Sequence, residues 1–147
     1  MSEYDTQFPV EESLPGDIAN FVFDMSFRQI LVGDYVVLPC FNSIVDRGMV
    51  VGVVGSTCEF VILSPETGIP ESFVLDLKHP DPRTGVFGRY GYLGVRVVAR
   101  KGEPAARDFA RQLIGACREI AHQAPKFNPF MVTQARARAE FLQTLLN

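Results

Sequence analysis

Histidine and cysteine are scarce here, and their scarcity removes several chemistries at once. The 147 residues hold two histidines, His79 and His122, and three cysteines, Cys40, Cys58 and Cys117. No C-x-x-C or H-x-x-x-H spacing occurs, so a structural zinc site is not expected. Three cysteines are an odd number and too few for a disulfide framework, so buried free thiols in a reducing interior are the expectation. A G-x-S-x-G turn, a phosphate loop and a dinucleotide glycine pattern are all missing. Cys117 falls on the apolar stripe of a helix and points away from solvent, which argues against a Cys–His enzyme. Long apolar runs are lacking too, because Gly, Asp or Pro breaks each one short of a bilayer span. The opening residues, MSEYDTQFPVEE, are acidic where a secretory signal begins with positive charge, so no signal is expected. These absences point to a non-enzymatic chain with no cofactor, no metal and no membrane partner. It is expected in the cytoplasm or within an intracellularly assembled particle.

Basic residues are lacking from the first part of the chain. Residues 1–99 carry 6 basic and 13 acidic side chains, against 8 and 4 in residues 100–147. The first 24 residues hold six acids and no base. A uniformly basic nucleic-acid binder is therefore not the pattern. The split suggests a dipole across the fold, with an acidic arm against basic helices. The composition, 47% apolar and 21% charged, is that of a globular chain. The expected organisation is an extended acidic arm over residues 1–15 and one domain over 16–147, with a β core over about 31–100 and a helical hairpin over about 103–146.

Residues 31–63 carry three β-branched apolar runs separated by Gly, Pro, Asn and Ser, the pattern of a tightly wound antiparallel sheet. Strands are expected at 35–38, 48–54 and 58–63, with a bulge at Gly52. A fourth strand, 71–78, alternates cleanly, placing Phe73, Leu75 and Leu77 inward. A fifth, 92–99, places Leu93, Val95 and Val97 inward and Arg96 outward. Before the sheet, the spacing of Ile18, Phe21, Val22 and Met25 predicts a short helix over 17–30, with Asp17 as its N-cap and a strand as the competing form. After it, Pro104 opens a helix with one continuous apolar stripe, Ala106, Phe109, Ala110, Leu113, Cys117, Ile120 and Ala121. Asn128-Pro129 restarts a last helix, to about Leu146, with an apolar face of Met131, Ala135, Phe141, Leu142, Leu145 and Leu146. The fold class is α+β: a curled antiparallel sheet or small barrel of about five strands followed by two C-terminal helices.

Gly33-Asp34 opening a strand, a second strand at Gly48 and an immediate hairpin into CEFVIL resemble the SH3-like small-barrel class, to which Tudor and KOW modules belong. The resemblance covers about residues 31–100 and implies a fold more than a function. A Tudor-type aromatic cage would draw on Tyr35, Phe41 and Phe60. KOW modules present basic residues, whereas this sheet is acidic.

Five places stand out as candidate sites. The loop from His79 to Gly85 is stiffened by Pro80 and Pro82; His79 and Asp81 are within reach of a hydrogen bond there, and Arg83 suits a phosphate or carboxylate. Glu66, Asp76 and Lys78 resemble the acid, acid-x-Lys spacing of metal-dependent nucleases, although Asp76 and Lys78 also read as one face of a strand. Arg107, Arg111 and Arg118 share a helical arc suited to phosphates or an acidic partner. The apolar face of the last helix, with Met131, Phe141, Leu142 and Leu145, suits docking. Arg138 sits in the middle of that face, where a guanidinium must be paired or reach past it to water. The function read from this is a protein-protein binding or assembly module, a structural component of a larger complex or a homo-oligomer. Nucleic-acid association is the alternative, and a nuclease the third reading.

Overall fold

Closely spaced apolar runs with tight turns between them fold as a meander, because each strand finds its partner in the next one along the chain. The structure, a computed structural model, describes residues 22–40, 44–64, 67–88, 91–123 and 129–146. Five strands, β1 (Tyr35–Pro39), β2 (Val45–Val54), β3 (Thr57–Leu63), β4 (Pro70–Asp76) and β5 (Arg96–Ala99), precede two helices, α1 (Pro104–His122) and α2 (Pro129–Thr144). All neighbours are antiparallel and lie in the order β4-β3-β2-β1-β5. The sheet curls but stays open, with β4 and β5 as its two edges.

The curl has local causes. The β2–β3 register shifts between Val50 and Gly52, at the glycine expected to bulge. The β1–β5 register shifts at Tyr35 and Val36, leaving Val98 without a partner in β1. Each bulge adds local twist to its strand. Gly33, just before β1, has φ 95°, and a Cβ there would stand 2.9 Å from the Cβ of Lys101. Glycine is therefore required at that approach.

The sheet buries both faces. The inner face holds Val36, Leu38, Val50, Cys58, Phe60, Ile62, Leu75 and Val97, closed over by Val22, Ile30, Tyr92 and Val95 from the coil segments. Phe60, Phe73 and Tyr92 stack in sequence, with centroids 5.5 and 5.4 Å apart. Phe73 and Leu77 pack on this core as their alternation requires. On the outer face Met49 and Val61 meet Phe109, Leu113, Ile114, Cys117 and Ile120 of α1, and Ala135, Ala139, Leu142 and Leu145 join them. Tyr35 stacks on Phe109 at 4.6 Å. Tyr35 and Phe60 therefore lie on opposite faces of the sheet and do not share one aromatic cage, and Phe41 lies outside the described residues.

Three expectations are corrected. Residues 22–30 are not helical: Phe23 and Gln29 form a β-bridge around a turn. The Asp24 carboxylate accepts the N–H groups of Ser26, Arg28 and Val97, at 2.9, 2.8 and 2.8 Å. An acceptor so well used competes successfully with a helix. Residues 17–21, including the expected cap Asp17, lie outside the described residues. The fifth strand begins at Arg96, not Tyr92, and Leu93 is half exposed, because Leu93 N–H bonds Pro39 O in a connection across the strand ends. The core face of α2 is Val132, Ala135, Ala139 and Leu142, and Phe141 is turned outward. The stripe on α1 is as expected from Ala106 to Ile120, with Ile114 added, while Ala121 is only half-buried.

Candidate functional site

The registers define cross-strand rows on the outer face. One row runs Ala99, Tyr35, Met49, Val61, Ser72. The helices lie on this row: Phe109 stacks on Tyr35, α1 buries Met49 and Val61, and Arg138 of α2 donates to Ser72 Oγ at 2.7 Å. Same-face rows are about 6–7 Å apart, and a helix with its side chains is about 10 Å wide. A helical layer centred on that row thus leaves the rows at each end of the strands open.

At one end the next row is Arg96, Val37, Arg47, since both arginines pair with Val37. Beyond it lies Pro39 opposite Val45. Arg47, Val45, Arg96 and Val98 are exposed, while Val37 and Pro39 are half-buried. Strands about 4.8 Å apart set the two arginines about 10 Å apart across the valine. Arg47 is held in place: its guanidinium lies 5.1 Å from the Phe109 ring and donates to Gln112 Oε1 at 3.4 Å. Arg96 has no ion pair among the described residues. The opposite end has the other sign, with exposed Glu59 opposite Val74 and Asp76 opposite Thr57.

Several acids of the neighbouring segments are engaged within the fold. Asp24 and Asp34 are buried. Asp34 accepts Arg100 Nη1 at 2.6 Å and Leu31 N–H at 2.8 Å. Asp46, alternate to Arg47, accepts the Tyr92 hydroxyl at 2.7 Å on the inner side. Beside β5 the hairpin of residues 22–30 adds apolar surface. Met25 N–H bonds Val95 O, and Phe27 stands 87% exposed with φ 62°. The arrangement is a flat apolar surface carrying two cations, with no exposed acid in the row between them.

The residues singled out by sequence fall elsewhere. His79 Nδ1 meets Asp76 Oδ2 at 2.9 Å, while Asp81 accepts Arg83 N–H at 2.8 Å, so the expected His79–Asp81 bond is replaced by two local pairs. Asp76 also accepts the Ser56 hydroxyl at 2.7 Å and Lys78 N–H at 3.1 Å. These bonds, Ser56 first, hold its carboxyl below the usual range. Glu66 lies outside the described residues. Arg107 donates to Leu146 O, Arg111 pairs with Asp108 at 3.2 Å and Arg118 meets Gln143 Oε1 at 3.3 Å, so the three arginines are directed to separate partners. Leu142 and Leu145 are buried and Met131 half-buried, so that face of α2 is consumed within the fold. Arg138 finds a hydroxyl rather than an acid, at the rim of this packing, where its charge also bears on Cys117. Burial still pushes the Cys117 thiol up.

The described residues line concavities at two places away from this surface. One, of about 340 Å³, lies between the helices over Cys117, Ala121 and Ala139. The other, of about 370 Å³, lies at the mouth of the curl by Phe73, Leu75, Gly88 and Tyr92. Among the described residues no three of His, Cys, Asp and Glu gather as a metal-holding group, and no helix is long and apolar enough to cross a membrane. Sequence reading missed Arg47 and placed Arg96 outward without a role; their common partner Val37 was the one signal, and only strand register reveals it. No protein-family model matches the chain, and comparison with curated proteins and with solved structures finds no match.

Proposed function

We propose that the chain is a non-enzymatic protein-docking module whose contact surface is the open end of the outer sheet face. The observation that carries this is the Arg96–Val37–Arg47 row, left uncovered by the helices and flanked by Val45 and Val98. Docking surfaces combine an apolar centre with arginine, and Arg47 is already ordered by Phe109, so little side-chain entropy is lost on contact. The return of β5 to pair with β1 beside a four-strand meander supports reading the sheet as an SH3-like half-barrel. That scaffold supplies rigidity, and the open end supplies the contact. The three arginines of α1 are a weaker basis for nucleic-acid binding, since each has a partner of its own.

The test is the double variant Arg47→Glu with Arg96→Glu, beside Arg111→Glu as a control of equal charge change per site. A purified partner identified by proximity labelling should lose about tenfold or more in affinity for the double variant and keep it for the control. Equal affinity for all three proteins would remove this surface from the reading. Salt-sensitive retention of nucleic acid by the native chain, lost in the double variant, would replace the protein partner with a nucleic-acid one.

A further inference from the structure

The sheet has two edges, and among the described residues one of them is guarded. Beside β5, the Asp24 carboxylate takes Val97 N–H and Met25 N–H reaches Val95 O. The outward backbone of β4 has no such cover among the described residues. Two bonds at its ends fix which of its groups face outward. Leu77 N–H bonds Ser56 O at 2.9 Å, and Ser64 N–H bonds Ile69 O at 3.4 Å. Both pairs continue the β3–β4 register. Bonded and unbonded pairs alternate in an antiparallel ladder, so Glu71, Phe73 and Leu75 turn their backbone groups to β3. Ser72, Val74 and Asp76 turn theirs away from the sheet.

The side chains of those three residues are open as well. Ser72, Val74 and Asp76 are exposed, Val74 by 58%. A concavity of about 370 Å³, lined by Glu71 to Leu75 with Gly88 and Tyr92, lies along the same strand. Its charges choose the occupant. Arg138, held at Ser72 Oγ, meets no carboxylate among the described residues. Asp76 is an exposed anion four positions along, and its three bonds, to the Ser56 hydroxyl, Lys78 N–H and His79 Nδ1, leave acceptor capacity. The edge therefore carries a cation near one end and an anion at the other.

An antiparallel copy of the strand reverses that order. With Val74 opposite its own counterpart, Ser72 stands opposite the partner's Asp76, and the twofold axis repeats the match. Opposed residues have Cβ atoms about 5 Å apart, so Arg138 reaches the partner's Asp76 from its place at Ser72. The outward N–H and C=O groups of Val74 pair with those of its counterpart in the same register. Centring the pairing on Asp76 would instead oppose two carboxylates, and centring it on Ser72 would bring two guanidinium groups together.

We propose that a second copy of this chain docks on β4 through its own β4, antiparallel and with Val74 on the twofold axis, joining two five-stranded sheets into one. The contact lies at the edge opposite β5 and is independent of the docking surface around Arg96. One strand per copy is a small interface, so a dissociation constant on the order of 10–100 µM is expected.

Sedimentation of the full chain from about 5 to 500 µM should show monomer passing to dimer. Val74→Lys sets two ammonium groups face to face, and Val74→Pro removes an N–H that β3 does not use; each should weaken the dimer by about tenfold or more. Arg138→Glu and Asp76→Lys should each weaken self-association, while an equimolar mixture of the two chains should restore dimers, because both cross-pairs are then of opposite sign. Cysteine placement reads the register without depending on the Asp76 turn, since the native thiols among the described residues are buried. Val74→Cys should form a covalent dimer with oxidised glutathione, its Cα atoms being about 5.5 Å apart. Ser72→Cys should not, because its counterpart lies about 13 Å away along the strands. A chain that stays monomeric throughout overturns the proposal. So does a dimer indifferent to Val74→Lys and Val74→Pro, or equal cross-linking at Ser72→Cys and Val74→Cys. Self-association abolished by Arg47→Glu with Arg96→Glu and untouched at Val74 assigns the contact to the other edge and also overturns it.

Discussion

Asp24 is the single side chain on which the entry to the sheet depends. It is 5% exposed, yet it satisfies three backbone N–H groups, one of them Val97 on β5. Burial pushes its carboxyl up, but the N–H groups of Val97, Arg28 and Ser26 and the charge of Arg28 outweigh burial and hold it below 3.8. A depressed folded value means that this stability is complete above the unfolded value and is lost as pH falls through the folded one. Asp24→Ala should cost about 2–4 kcal/mol at pH 7, read from urea melts, and should flatten the fall in stability below about pH 4. Asp34 acts in the opposite sense: burial outweighs Leu31 N–H and Arg100 and raises its carboxyl, so it costs stability as pH rises through that region. Phe27 is a different residue-scale case. It holds φ 62° while 87% exposed, so it pays left-handed strain with almost no burial in return. Phe27→Asn should raise stability by about 0.5–1 kcal/mol in the same melts. A residue retained at such a cost is a natural contact for a partner beside β5.

At the scale of elements, β5 shows how an edge strand is kept from pairing with foreign chains. Its Val97 N–H goes to the Asp24 carboxylate, its Val97 carbonyl to the Arg28 guanidinium, and the Val95 carbonyl to Met25 N–H. Two side chains and one backbone N–H stand in for a missing sixth strand. Arg28→Ala should leave the fold intact by circular dichroism while speeding amide exchange at Val97 and raising aggregation on storage; unchanged exchange would show the edge guarded by other means. The same hairpin explains what the sequence hid. Strands β1 to β4 and helix α1 were legible because their periodicity is local and each strand pairs with its neighbour. Residues 22–30 were not, because one of the three N–H groups that hold Asp24 in the turn, Val97, lies 73 positions away. The face of α2 was half legible: Ala135, Ala137 and Ala139 carry little bias, so packing against α1 chose Val132 and Ala139 over Phe141.

For the molecule as a whole, both faces of one sheet are cores, and each thiol belongs to one of them: Cys40 and Cys58 inside the curl, Cys117 beneath the helices. Burial pushes the Cys58 thiol up to about 12 and raises the other two. No thiol should react with a disulfide reagent at pH 8 in the folded chain, and three should react in 6 M urea; one fast native thiol would mean that a core opens locally. The surface that carries the proposed contact is likewise a whole-molecule property. Arg47 and Arg96 are distant in sequence and meet only because β2 and β5 pair with opposite sides of β1. The sequence did show an acidic front and a basic back, but not that the cations of the sheet itself gather at one end.

Val98 is a spare letter in the reading frame of β5. Because it has no opposite number in β1, its excision leaves Ala99 facing Tyr35, Val97 facing Val36 and Arg96 facing Val37, with no side chain turned over. What goes with it is the local kink. Curvature and side-chain placement are thus written into separate residues here, and the β1–β5 edge of the sheet can be straightened by one deletion without scrambling which groups it shows to the outside.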